Sequence, residues 1–292
     1  MLAKLRDESI GRATLDEASG VLGRDPLELD DAQAQTGTWA TQVGLLIVGV
    51  ASARVLAAEG LLCNFVAGHS VGAFAAAVHA QALRFDDALR LVALRATSMA
   101  SAFPHGYGMA AITGLPEHTL QEWIDDARGR GASLYLANRN ATRQFTISGA
   151  VEDLDAFVEH ARRHGASKAT RLPVAVPSHS PLMNGVAALM QTAIGEVDVA
   201  DARIPFATNR RARIEANGHE VAQDLALGVA HPVLWHEIAC ALYERGVRTF
   251  VEMAPGDVLS GIARNTFADI RALSASQTGL AALPQLVRTA RT

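Results

Sequence analysis

Phe65-Val66-Ala67-Gly68-His69-Ser70-Val71-Gly72-Ala73-Phe74 joins an apolar run to a Gly-x-Ser-x-Gly turn, and a run of small residues (75–82) follows at once. That order reads as strand, sharp turn and helix. A turn of this kind lifts a serine above a sheet edge, and its glycines permit a strained backbone and a close strand–helix approach. Ser70 is therefore a candidate nucleophile. The competing reading is a glycine-tolerant turn whose serine only caps the helix.

Working outward, apolar residues recur with helical spacing over 38–59, and a strand at 61–67 feeds the serine turn. Residues 86–103 read as a helix, with Asp86 and Asp87 in its first turn and Leu89, Val92 and Met99 on an apolar stripe. The pattern then changes. Strands at 107–113, 134–137, 144–148 and 168–174 and helices at 117–130 and 152–164 give the order β-α-β-β-α-β of a ferredoxin-like unit. Residues 106–174 are thus expected to form a small ferredoxin-like subdomain inserted into a large α/β subdomain made of 1–105 and 175–292. The large part resumes with a helix at 181–196, opened by Ser180 as cap and Pro181 in its first turn. A strand at 204–208, helices at 221–229 and 232–245, a strand at 249–253, a helix at 257–265, a strand at 271–274 and a terminal helix complete the chain. Strands alternating with helices imply a mostly parallel sheet covered on both faces, an α/β-hydrolase-like layout.

The chain of 292 residues is long enough for one substantial domain with such an insertion. A net charge of −4 gives no reason to expect nucleic acid or an anionic membrane as partner. The longest mainly apolar stretch, 43–53, ends at Arg54 and falls short of the ~20 residues that span a bilayer. The residues from Met1 to Asp7 are charged and lack an apolar signal core. The two cysteines, Cys63 and Cys240, each lie in an apolar run and read as buried thiols in a reducing compartment. A cytoplasmic enzyme is the expectation.

A serine hydroxyl needs a base at neutral pH. His160 and His164 stand one turn apart, a spacing that can hold metal, but Arg162 and Arg163 lie between them and a solvated helix face is the better reading. His231 and His236 carry no metal pattern beyond the neighbouring Glu237. His179 differs: an apolar strand enters the Pro-bounded turn Pro177-Ser178-His179-Ser180-Pro181, which can hold an imidazole rigidly against a cleft. A surface histidine at a helix start is the alternative.

Four segments occur in order: Gly68-His69-Ser70-Val71-Gly72; Leu91-Val92-Ala93-Leu94-Arg95 with Met99; Pro177-Ser178-His179-Ser180-Pro181-Leu182-Met183; and Glu252-Met253-Ala254-Pro255-Gly256-Asp257-Val258-Leu259. Together they resemble the malonyl-CoA:acyl-carrier-protein transacylase family over nearly the whole chain, and the inserted ferredoxin-like unit fits that family's fold. Gly106-Tyr107-Gly108-Met109-Ala110-Ala111-Ile112, Tyr135-Leu136-Ala137-Asn138-Arg139-Asn140, Asn209-Arg210-Arg211-Ala212-Arg213 and Leu242-Tyr243-Glu244-Arg245-Gly246-Val247 look most like the epsilon subunit of malonate decarboxylase.

The resemblance implies a two-step transfer. Ser70, with His179 as general base, attacks the malonyl thioester and expels CoA; the malonyl-serine ester then passes to the thiol of a phosphopantetheine-type arm on an acyl carrier protein. It further implies that the Val71 N–H is an oxyanion donor and that a backbone carbonyl orients the histidine. The segment Gly228-Val229-Ala230-His231-Pro232 assigns that carbonyl to Gly228, so no triad carboxylate is expected. Arg95 is the expected partner of the malonyl carboxylate, through paired hydrogen bonds. Its other reading is an exposed helix arginine compensated by Asp86 or Asp87. His69, Asn140 and Met99 match positions around the acyl pocket. The chain itself is expected to hold no cofactor and no metal, and other malonate decarboxylase subunits are candidate partners.

The family's opening strand and Gly-Gln-Gly-x-Gln turn, which supplies a second oxyanion donor, has no counterpart here, and a start upstream of Met1 is expected. Basic clusters at Arg210-Arg211-Arg213 and Arg162-Arg163 could dock an acidic carrier or CoA phosphates. Three further readings remain open on the sequence: a stand-alone transacylase of fatty-acid or polyketide synthesis, a serine esterase using Asp224 or Asp257 as triad acid, and a carrier-binding scaffold without turnover.

Overall fold

A computed structural model describes residues 2–31 and 37–289; Met1, part of the N-terminal reading above, lies outside them. A 3₁₀ turn (Leu2–Asp7), α1 (Ser9–Leu22) and a second 3₁₀ turn (Pro26–Asp30) precede the long α2 (Thr38–Ala58). β1 (Val66–Ala67), α3 (Gly72–His79) and α4 (Phe85–Ala102) follow. Next come β2 (Tyr107–Thr113), α5 (Glu117–Gly129), β3 (Leu134–Ala141), β4 (Gln144–Ala150), α6 (Val151–Arg163) and β5 (Lys168–Arg171). The chain continues through α7 (Asn184–Ile194), β6 (Phe206–Ala207), β7 (Ile214–Glu215), α8 (Gly218–Leu227) and α9 (Trp235–Glu244). It closes with β8 (Thr249–Glu252), α10 (Val258–Thr266), β9 (Arg271–Ser274), α11 (Ala275–Thr278) and α12 (Leu283–Arg288).

The fold is α/β. β1 pairs parallel with β6, Val66 opposite Phe206 and Ala67 opposite Ala207, and β7 adds antiparallel to β6. β8 and β9 form a separate parallel pair. Among the described residues the large part therefore carries two short sheets instead of the single mostly parallel one that the alternation implied. Its core is helical at the centre: Val43, Leu46 and Ile47 of α2 are fully buried and pack with residues of α1, α3, α4 and α7. Each such side chain removed from water stabilises the fold by about 1.5–3 kcal/mol. At 21 residues and a mean hydropathy of 1.6, α2 is long and apolar enough to cross a membrane, which the 43–53 stretch alone did not suggest. Most of it is instead enclosed by other helices, as expected for a core helix apolar on every face.

The β2–β5 segment forms a four-stranded antiparallel sheet in the order β3-β4-β2-β5, with α5 and α6 packed on it over a core of its own that includes Ile112, Leu120, Ile124 and Leu154. Irregular pairing breaks the β3–β4 ladder between Leu136 and Asn138 and again between Arg139 and Ala141. Edge strand β3 is joined to the rest of the chain by backbone bonds: the Val233 N–H donates to Ala137 O and the Arg139 N–H to Val233 O, both at 2.9 Å. That seam brings Asn140 over the serine turn.

Expectations for a strand, a cysteine and a helix fail nearby. The strand expected over 61–67 is ordered as strand only at Val66–Ala67, and Cys63, expected to be buried, is exposed because it sits in the irregular approach to that strand. The helix expected over 232–245 begins at Trp235, since the backbone of Val233 and Leu234 is spent on Ala137, Arg139 and Asn209. Cys240 is half-buried.

Candidate active site

Ser70 stands between β1 and α3 with φ 55°, in the left-handed region that a serine rarely occupies. The turn is possible only because Gly68 lacks a side chain: a Cβ there would lie 2.1 Å from the Gly72 carbonyl oxygen and 2.4 Å from the Ala73 nitrogen. Strand and helix thus nearly touch, and the serine is pushed up at the start of α3. The Val71 N–H finds no protein acceptor among the described residues and points from the first turn of α3, where helix N–H groups collect positive potential.

His179 reaches Ser70 from the other side, its Nε2 lying 2.7 Å from Oγ. Its backbone also has positive φ, 62°, held by its N–H on Val229 O at 2.7 Å. Nδ1 lies 2.8 Å from Gly228 O and 3.2 Å from His231 O. Two carbonyls can only accept, so Nδ1 carries the proton and Nε2 presents a lone pair to the serine hydroxyl. Gly228 caps the C-terminus of α8, where carbonyls lack intrahelical partners and the helix end is negative. That end supports an imidazolium without a carboxylate. Neither acid considered for a triad bonds to His179: Asp224 lines the same cleft but accepts from the N–H groups of Asn209 and Arg210, and Asp257 accepts from Gln277.

Arg95 is only 3% exposed, on the face of α4 that also buries Leu91, Val92 and Met99. Its Nη2 donates to Ser70 Oγ at 3.3 Å and its Nη1 to Gln42 Oε1. Gln42 in turn donates to Met99 Sδ at 3.5 Å, so Met99 sits behind the glutamine and does not line the cleft. Asp86 and Asp87 pair with Arg84 and Arg90 and leave Arg95 alone; among the described residues no carboxylate lies within ion-pair distance of it. Burial pulls Arg95 down to about 10, which keeps it charged at neutral pH. His179 is pushed down to about 3, first by burial and then by the Arg95 cation, against the pull of the Gly228 and His231 carbonyls. Ser70, Phe74, Arg95, His179, Asn209, Asp224 and Gly228 line one narrow cleft.

His69 bonds through Nε2 to Asn140 Oδ1 at 3.1 Å, and its ring lies 5.6 Å from that of Trp235. The small sheet and the start of α9 therefore meet over the serine turn. The structure thus brings Ser70, Val71, His179, Gly228, Arg95, His69 and Asn140 together. Sequence reasoning missed Gln42, Asn209 and Trp235. Gln42 is a lone amide in an apolar helix, a pattern that could have flagged it; Asn209 was passed over inside a basic cluster. That cluster is partly spent internally, Arg210 beside Asp224 at 3.7 Å and Arg211 on Glu220 at 3.2 Å. Arg162 and Arg163 pair with Glu159. His160 and His164 stack at 4.1 Å beside Trp123.

A paired serine and neutral histidine, an unengaged N–H at a helix start and a buried cation without a counterion suit acyl transfer to and from an anionic acyl group. Residues 16–288 match the acyl transferase domain model. The chain belongs to the acyl transferase family. Within it, the chain is 33% identical over 247 residues to the malonyl CoA-acyl carrier protein transacylase of Bacillus subtilis (84% of this chain, 78% of the relative). The Haemophilus influenzae protein of the same name is 32% identical over 281 residues, covering 94% and 90%. The malonyl CoA-acyl carrier protein transacylase structure from Coxiella burnetii superposes with a TM-score of 0.92 at 32% identity, covering 99% of this chain and 92% of that one. A malonyl-transacylase solved in complex with a type II PKS acyl-carrier protein gives 0.87 at 30% identity, covering 94% and 90%. This acyltransferase is an enzyme of the malonyl-CoA:acyl-carrier-protein transacylase family.

Proposed function

We propose that this acyltransferase moves a malonyl group from malonyl-CoA, through an ester on Ser70, to the thiol of a phosphopantetheine-type arm on an acyl carrier protein. The observation that carries the substrate choice is Arg95, a buried cation with no carboxylate partner among the described residues, donating to the hydroxyl that would be acylated. A malonyl group supplies the missing anion; an acetyl group does not.

In the first half-reaction the Ser70 proton passes to His179 Nε2 as Oγ bonds to the thioester carbon. The oxyanion forms against the Val71 N–H, and collapse breaks the C–S bond. The departing CoA sulfur takes the proton back from Nε2. In the second, the carrier thiol gives its proton to His179, the sulfur attacks the ester, and Ser70 Oγ leaves with that proton. The Gly228 carbonyl holds the imidazole in one tautomer throughout, while His69 and Asn140 wall the acyl side. In the same reading, 106–174 is an inserted small subdomain with its own core, and 1–105 with 175–292 is the large one. The finer assignment, service to a malonate decarboxylase carrier, is supported by the sequence stretches around Tyr107, Asn138, Asn209 and Tyr243; a fatty-acid or polyketide carrier fits the same site.

The test is intact-protein mass spectrometry after mixing with malonyl-CoA or acetyl-CoA. A malonyl-sized adduct that is absent from Ser70→Ala, and that a carrier thiol discharges, is the expected result. Discharge only to water would replace the transferase reading with a hydrolase one. Holo-carriers of the two kinds, offered in competition, decide the finer assignment.

A further inference from the structure

The serine turn needs a device to hold it, because Ser70 has φ 55° and its own backbone offers little. Parallel pairing of β1 with β6 ends at Ala67 and Ala207. Beyond that point the β6 strand curls away: the Thr208 N–H donates to Arg213 O at 2.8 Å and Thr208 O accepts from the Ala212 N–H at 3.1 Å. No backbone from β6 is left to face the turn.

The Asn209 carboxamide takes its place. Its Oδ1 accepts from the Ser70 N–H at 2.9 Å and its Nδ2 donates to Gly68 O at 2.8 Å. One planar amide thus bridges both sides of His69 and continues the ladder into the turn with the donor and acceptor a strand would offer. Asn209 is itself gripped. Asp224, 3% exposed, accepts the Asn209 N–H on Oδ2 at 2.7 Å and the Arg210 N–H on Oδ1 at 3.0 Å. Asp224 lies on α8 one turn before Gly228, whose carbonyl holds His179. The same helix end therefore anchors the serine turn through Asn209 and the imidazole directly.

We propose that Asn209 and Asp224 are positioning residues for the Ser70 nucleophile, Asn209 clamping the turn and Asp224 acting through Asn209. The inference rests on Ser70 being the nucleophile. It makes no use of the malonyl group, so its test is independent of the acyl donor. A fluorophosphonate reacts with an activated serine whatever the acyl specificity, and its labelling of the full chain can be followed by intact mass.

Misplacing a nucleophile by about 1 Å costs on the order of 10² in rate. Asn209→Ala, which removes both contacts, is expected to lower the maximal labelling rate by about that factor. Asp224→Asn keeps the shape but sets an NH₂ against one of the two N–H groups, and about tenfold is expected. In both variants the concentration giving half-maximal labelling stays unchanged. Thr14→Ala, a buried change remote from the site, should lower the melting temperature without slowing labelling. If Asn209→Ala does not fold, Asp224→Asn carries the test alone. Wild-type labelling rates in Asp224→Asn and in folded Asn209→Ala overturn the positioning role while leaving the nucleophile in place. A wild-type chain that neither labels nor takes up malonyl at Ser70 refutes the nucleophile reading, and the positioning role falls with it.

Discussion

Arg95→Ala should separate substrate choice from chemistry. The guanidinium has five N–H donors, and the structure engages one on Gln42 and one on Ser70, which leaves donors free for a carboxylate. Breaking a buried ion pair by removing one partner costs about 3–5 kcal/mol, and the lower figure applies where a cleft admits substrate from solvent. At 1.4 kcal/mol per decade, about 3 kcal/mol is roughly a hundredfold loss in kcat/KM for malonyl-CoA. Acetyl-CoA never made the pair, so its rate is not expected to fall. It should rise, because the Arg95 cation is the second cause, after burial, of the low basicity of His179. Gln42→Leu, which frees Arg95 from its buried acceptor, should erode malonyl preference in the same direction by a smaller factor. The assay is quench-flow acylation read by intact mass, with both thioesters and each variant. A malonyl-to-acetyl ratio unchanged in Arg95→Ala would refute the carboxylate role outright.

Two further outcomes follow from the same geometry. His179 is held at about 3 in the fold, below its ordinary value near 6.5, so the unfolded chain takes up a proton that the folded chain refuses between those pH values. Stability is full above about pH 6.5 and drops by about 1.4 kcal/mol per pH unit below it. His179→Gln should flatten the melting-temperature profile between pH 6.5 and 5, and parallel profiles would contradict the buried neutral imidazole. Gly68→Ala drives a Cβ to 2.1 Å from the Gly72 oxygen and should abolish adduct formation with a clear loss in melting temperature, whereas a Cβ on Gly72 meets nothing within 4 Å. Equal melting of Gly68→Ala and Gly72→Ala would show that strand and helix do not approach as described.

What was legible depended on whether the signal was local. The strand at 107–113 and the strand at 271–274 coincide with their expected limits: Gly106 and Gly114 bound the first, and the second alternates half-buried with buried residues up to Ser274, which caps α11. The serine turn was legible because glycine is demanded at Gly68 by contact with its own chain four residues on. The start of α9 was not, because Val233 is diverted by Ala137 and Arg139, almost a hundred residues earlier, and no local pattern reports that pairing. Cys63 failed for a related reason: an apolar neighbourhood predicts burial only if the segment is packed, and 61–64 is not regular structure. Gln42, Asn209 and Asp224 join the site through side-chain contacts at separations of 53, 139 and 15 residues, which composition and periodicity do not encode.

In the proposed reaction Arg95 also couples substrate identity to basicity. In the free site its cation, with burial, holds His179 well below neutrality, so the base is weak when no acyl group is bound. A malonyl carboxylate set against Arg95 cancels that charge locally, and the imidazole regains basicity in the complex where it must take the serine proton. The proposed Ser70 ester would keep the carboxylate in place, so that His179 stays competent for the incoming thiol and weakens again once the product leaves. An acetyl group is then disfavoured twice, by a missing pair and by a poorer base. The consequence is measurable: the acid limb of the acylation rate should lie at higher pH for malonyl-CoA than for acetyl-CoA, and Arg95→Ala should bring the two together. Coincident limbs in the wild type would show that the substrate anion does not reach the arginine, whatever the selectivity ratio.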